Sequence, residues 1–190
     1  MTAETLSSPQ ITTLNSLYGG TGAGTARPTA GDQGAGQLQS LYQNIQPTSG
    51  STSGSLYRML RLQTNCIVRH LIIDYDGLIT TFMTDCTLYY ANAVLDSTNQ
   101  QNVGLLVNGL SGPASVFAYN LDLSMQTAGA QIEISGQSQN YNASLRSQPL
   151  WVAAGLTSDP GGFFDICLVE SATQSTLNLI IGLEVQYIVP

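Results

Sequence analysis

Thr176-Leu-Asn-Leu-Ile-Ile-Gly-Leu-Glu-Val-Gln-Tyr-Ile-Val189 is the stretch whose reading decides the fold class. Apolar residues stand at every second position, Leu177, Leu179, Ile181, Leu183, Val185, Tyr187 and Val189, with Asn178, Glu184 and Gln186 among the residues between them. Successive side chains of a strand point to opposite faces, so a period of two marks a strand with one face buried. Pro190 follows and has no N–H to extend a central ladder. Upstream, Phe117, Tyr119, Leu121, Leu123 and Met125 alternate in the same way with Ala118, Asn120, Asp122 and Ser124. Shorter candidate strands are Leu56–Leu62, Cys66–Tyr75, Thr87–Leu95, Val103–Val107, Gln131–Ser135, Leu150–Ala154 and Phe163–Glu170.

Turn formers punctuate these runs: Asp76-Gly77, Asn108-Gly109, Gly112-Pro113, Ala128-Gly129 and Asp159-Pro-Gly-Gly162. No segment combines a 3.6-residue apolar spacing with helix caps. About eight or nine strands in roughly 135 residues predict an all-β domain, an antiparallel β-sandwich or jelly roll, over residues 56–190.

Residues 1–55 read differently. They hold nine of the nineteen glycines and only three charged residues, Glu4, Arg27 and Asp32. Such a segment buries too little apolar area to offset its ordering entropy, so it is expected to be an extended or disordered N-terminal arm when isolated. Within it Leu14-Asn-Ser-Leu-Tyr18 recurs as Leu38-Gln-Ser-Leu-Tyr42, and Ser55-Leu-Tyr57 is a third, partial copy. Leu-Tyr pairs bury large area at small entropic cost and keep one polar tip. Leu14, Leu17, Tyr18, Leu38, Leu41, Tyr42, Leu56 and Tyr57 are therefore the expected interface residues, docking on a partner or on the chain's own domain. Chance recurrence in a biased sequence is the alternative.

The polar positions carry Ser, Thr, Asn, Gln and Gly rather than charge. Only 9% of the 190 residues are charged, against roughly 25% in ordinary domains, and all five basic residues are arginine. Lysine is disfavoured at interface cores where arginine is tolerated, so this surface suits a protein packed against others. Host composition bias would produce the same pattern. A net charge of −7 argues against a nucleic-acid partner. Cys66, Cys86 and Cys167 form no C-x-x-C pair and lie in apolar runs, which predicts buried free thiols and synthesis in a reducing compartment. Neither a signal peptide nor an apolar run of about 18 residues is visible, so no membrane association is expected.

Candidate sites are few. Gly20-Thr-Gly-Ala-Gly24 lacks the following helix and the Lys of a phosphate loop. Asp74 and Asp76 point to one side of an extended chain before Gly77; they are weak calcium candidates needing a third ligand, and turn chemistry explains them equally well. His70 is the sole histidine. Cys66 is four residues away, which on a strand places the two side chains well over about 10 Å apart. An interface or partly buried histidine is the plainer reading. Glu133, Glu170 and Glu184 fall at outward strand positions, Trp151 is expected in the core, and Asn142-Ala-Ser144 is a sequon relevant only after secretion. No catalytic residue, cofactor or metal is assigned.

The glycine-rich arm with its Leu-x-Ser-Leu-Tyr repeat, the lysine-free surface and the strand Thr176–Val189 together resemble bacteriophage virion structural proteins, above all capsid and capsid-decoration proteins. The resemblance spans the chain but is compositional and architectural. It implies a virion location after synthesis in the host cytoplasm and symmetric homo-oligomerisation, often trimeric, with arms reaching over neighbouring capsid subunits. The single arginine of the arm departs from the basic arms of genome-packaging coats, which favours a cement, decoration or minor capsid role. Two other classes stay open: a carbohydrate- or receptor-binding sandwich of a tail fibre or adhesin, using Tyr89, Tyr90, Tyr119 and Tyr141, and an enzyme with His70 as its base.

Overall fold

The computed structural model describes residues 5–7, 36–47, 52–76, 83–91, 106–109, 111, 114–123, 129–135, 144–171 and 180–190. The strands are β1 (Thr5–Ser7), β2 (Leu38–Ile45), β3 (Leu56–Gln63), β4 (Ile67–Asp76), β5 (Met83–Tyr90), β6 (Ala118–Asp122), β7 (Gln131–Glu133), β8 (Phe163–Glu170) and β9 (Ile180–Ile188). They form a five-stranded sheet in the order β1-β3-β8-β5-β6 and a four-stranded sheet in the order β2-β9-β4-β7. Every pairing is antiparallel except β1 with β3, which is parallel. The all-β sandwich expected from the alternating runs is the fold observed.

Between the sheets the inward positions stack in register. Tyr57, Leu168 and Cys86 form one row, Leu60, Ile166 and Leu88 the next, and Leu62, Phe164 and Tyr90 a third. Tyr90 and Phe164 meet edge to face with ring centroids 5.5 Å apart. From the other sheet come Val68 with Tyr187, Leu71 with Val185, Ile73 with Leu183, and Tyr75 with Ile181. All but Tyr90 of these are buried in one core cluster, against which Tyr90 packs.

Three bulges correct the simple alternation. Between Arg58 and Leu60 the register shifts by one residue. Side chains at i and i+3 normally face opposite ways on a strand, but the extra residue, Met59, brings Arg58 and Arg61 to the same outer face. A second shift lies between Val68 and His70, so Val68 and Leu71 both face the core. A third, between Thr84 and Cys86, lies opposite Asn120, whose φ is 55°. That break exposes Tyr119, which strict alternation placed on the buried side with Phe117. Asp85 Oδ1 accepts the Asn120 N–H at 2.7 Å and satisfies the bulged backbone.

Other expectations also change. Leu150–Ala154, read as a strand, is instead a helical turn, α1 (Leu150–Ala153). Pro149 precedes it and Gly155 ends it at φ 70°, while Leu150, Ala153 and Ala154 bury one side at helical spacing. The described part of Val103–Val107 is a single bridge from Leu106 to Tyr89, followed by a 3-10 turn over Val107–Gly109. β5 starts at Met83, four residues before the expected strand. Glu170 is buried, not outward: Tyr57 Oη donates to its Oε2 at 2.9 Å.

The segment assigned to the arm contributes two strands. β1 lies beside β3, and all eight residues of β2 pair with β9. The glycine run and Leu14–Tyr18 lie outside the described residues.

Candidate assembly surface

The outer face of the four-stranded sheet is solvent-facing and is built by register. One row across it is Leu38, Ile188 and Ile67; the next is Ser40, Gln186 and His70; then come Tyr42, Glu184, Ile72 and Glu133, and finally Asn44, Gly182, Asp74 and Gln131. Leu38 is 60% and Tyr42 46% exposed, so the second Leu-x-Ser-Leu-Tyr copy presents its first Leu and its Tyr to solvent. Leu41, on the opposite side of the strand, packs on the core. Leu14, Leu17 and Tyr18 of the first copy lie outside the described residues. The third copy is spent within its own fold: Leu56 is buried and Tyr57 is 0% exposed, which leaves Tyr57 no surface for a neighbour.

Polar side chains on this face are tied to one another. Ser40 Oγ donates to Glu184 Oε1 at 2.7 Å, and Gln186 Nε2 donates to the same oxygen at 3.4 Å. Tyr42 Oη lies 3.4 Å from both oxygens of Asp74, two strands away. Gly182 makes that reach possible, because a Cβ there would overlap Asp74 Oδ1 and the Tyr42 ring. Burial and the adjacent Asp74 carboxylate push the Tyr42 phenol up, keeping it a donor. His70 Nδ1 sits 3.0 Å from Glu133 Oε2. The Glu133 Oε1 accepts from the Leu71 N–H at 3.2 Å, the Ser135 N–H at 3.1 Å and the Ser135 hydroxyl. Burial alone would raise the Glu133 carboxyl, but these bonds together hold it below its ordinary value.

The candidate catalytic and metal-binding groups do not converge into one site. His70 is exposed, whereas Cys66, Cys86 and Cys167 are buried and free, the last two in the other sheet. Burial pushes the Cys66 thiol up to about 12, and Cys86 and Cys167 are also raised. Asp76 stands at the end of β4, exposed, with Asp74 engaged by Tyr42. Among the described residues no group of three His, Cys, Asp or Glu is placed to hold a metal. Tyr89 and Tyr90 adjoin on β5 and face opposite ways, and Tyr119 is exposed on β6, so these three line no common groove. Tyr141 lies outside the described residues. Trp151 packs against the core. No helix among the described residues is long and apolar enough to cross a membrane.

Sequence reading missed the buried ionic cluster found among the described residues. Asp165, fully buried on the outer face of the five-stranded sheet, accepts from Arg58 Nε at 2.8 Å and Arg61 Nε at 2.8 Å, with Arg58 Nη2 also on its Oδ2. The pair Arg58 and Arg61 was visible, but its partner lies over a hundred residues away and the facing depends on the Met59 bulge.

These features define an antiparallel β-sandwich whose second sheet is completed by a strand from the N-terminal segment. A chain of the Ralstonia phage GP4 capsid has this fold: the TM-score is 0.55 over 88% of this chain and 94% of that one, at 16% identity. A chain of the cyanophage Pam1 capsid asymmetric unit matches with TM-score 0.43, 15% identity, and 89% and 97% coverage. A chain of the acidic stable capsid of Helicobacter pylori bacteriophage KHP30 matches with TM-score 0.31 and 11% identity over 81% and 94%. No protein-family model matches the sequence, and no curated protein matches it.

Proposed function

We propose that this chain is a non-enzymatic structural protein of a bacteriophage virion, carried in the capsid and held there by surface buried against neighbouring subunits. The supporting observation is the fold shared with a phage GP4 capsid chain over nearly the whole length of both. The lysine-free, charge-poor surface agrees with it, since few strongly hydrated groups need be stripped of water on assembly. Within the capsid we assign it a cement, decoration or minor capsid role in a symmetric homo-oligomer, a trimer being one such form. Residues 1–55, apart from the stretches that form β1 and β2, serve as the arm that reaches neighbours, with Leu14, Leu17 and Tyr18 as contacts. The net charge of −7 gives it no electrostatic hold on the genome.

Reconstruction of purified particles tests this directly. Density matching the sandwich, repeated over the shell, is the expected result. Recovery of the chain from infected cells but not from particles would overturn the reading. Shells that assemble without the chain and lose heat resistance would assign the cement role, whereas failure of the shell to form would reject it.

A further inference from the structure

We infer that two ends of β4 bind one another between copies of this chain: Arg69 and Arg146 of one copy receive the Asp76 carboxylate of another. The proposal names a contact for the assembly role above, and rests on that reading only in where the contact is used.

The described arginines fall into two groups. Arg58 and Arg61 are engaged by Asp165. Arg69 and Arg146 meet no carboxylate among the described residues. Arg69 is the extra residue of the bulge between Val68 and His70, and its Nη1 donates to the Arg146 carbonyl at 2.9 Å. Arg146 stands in the 3-10 turn Leu145–Ser147, and its Nη2 donates to the Ser135 carbonyl. A guanidinium has more N–H donors than the one each uses here, so both are held in place and still offer a fork to a carboxylate.

Acids on the same sheet divide likewise. Glu184 accepts from Ser40 and Gln186, Glu133 from Leu71 and Ser135, and Asp74 from Tyr42. Asp76 ends β4, is exposed, and has no side-chain partner among the described residues. Along β4, Asp76 lies seven positions beyond Arg69, about 20 Å at roughly 3.3 Å per residue. The two ends cannot answer each other within one chain. Another molecule can answer both.

A second copy is the partner because the chain carries both halves of the contact, each beside exposed apolar surface. Next to the arginines, Ile67 ends the row that runs through Ile188 to Leu38, which is 60% exposed. Paired with Asp76 on β9 is Ile180, which is 42% exposed. Setting one copy's arginines on the other's Asp76 brings Ile180 against that row. Apolar burial then drives association, and the charges fix its register.

A net charge of −7 on each copy opposes the approach. Salt limits that term. At about 0.15 M the screening length is about 8 Å, well short of the span of the face, whereas a carboxylate on a guanidinium sits at about 2.8 Å. The local pairing therefore outweighs the overall repulsion.

The test uses the full chain, native and with Asp76→Arg or Arg69→Glu, in sedimentation equilibrium at physiological salt. Native protein should self-associate. Each variant should associate at least about tenfold more weakly, because like charges then meet at the contact. Mixing the two variants should restore about the native level, since each new charge finds its opposite in the other. Asp76 is exposed and makes no side-chain bond, so Asp76→Arg should keep the native circular dichroism and melting temperature. Should Arg69→Glu fail to fold, Asp76→Arg decides the question by itself. A native chain that stays monomeric at the highest concentration reached, an Asp76→Arg chain that associates like native, or a mixture of two folded variants that gains nothing would each overturn the inference. Incorporation into particles separates it from the virion reading. Native-like incorporation of Asp76→Arg counts against this contact alone, and self-association of a chain that enters no particle counts against the virion role alone.

Discussion

Asp165 is a single carboxylate that holds two guanidiniums out of water, with Arg58 and Arg61 both nearly inaccessible. Removing one member of a buried ionic group strands the others, which costs about 3–5 kcal/mol. Asp165→Ala should lose that much in urea unfolding, and a loss below about 1 kcal/mol would show the arginines re-solvated at little cost. The thiols give a second expectation at this scale. With Cys66 at about 12 and Cys86 and Cys167 raised by burial, almost no thiolate exists near pH 8. An aromatic disulfide reagent should find none of the three in native protein and all three in denaturant. Glu133 carries the third. Its folded value is lowered from 4.5, so its bonds to Leu71, Ser135 and His70 stabilise the fold above that pH and are lost as pH falls through the folded value. Melting temperature should drop below about pH 4.5, with Glu133→Gln less stable at pH 7 and flatter in that range.

Strands differ in what they contribute. β9 is paired on both sides, with Ile181, Leu183, Val185 and Tyr187 buried, whereas β2 pairs with β9 alone among the described strands. Leu183→Ala should cost about 2–5 kcal/mol by opening a cavity in the core. Leu38→Ala, at a largely exposed position, should change stability by less than about 0.5 kcal/mol. Equal losses in urea titrations would contradict this hierarchy. β9 was the most legible element, since seven alternating apolar residues admit no helical reading. β2 was legible as a repeat but not as a strand, because Leu38-Gln-Ser-Leu-Tyr42 has too few apolar positions for periodicity to register. The outward face of β2 is informative only once β9 lies beneath it.

Across the whole molecule, each paired set of strands joins residues distant in the chain: β3 with β8, β2 with β9, β4 with β9. Closing such loops precedes any reward from the core, so refolding should take milliseconds to seconds and show one cooperative transition. Stopped-flow refolding complete in microseconds would argue against this topology. Alternation and turn residues were enough to determine an all-β chain, because strand periodicity and burial are local properties of sequence. Three bulges escaped that reading, and with them the exposure of Tyr119 and the convergence of Arg58 and Arg61 on Asp165. One added residue reverses every side chain beyond it, and which strand lies opposite is set by pairing at long range. The surface follows the same rule: its residues are named by the sequence, but strand order alone sets Leu38–Ile45 beside β9.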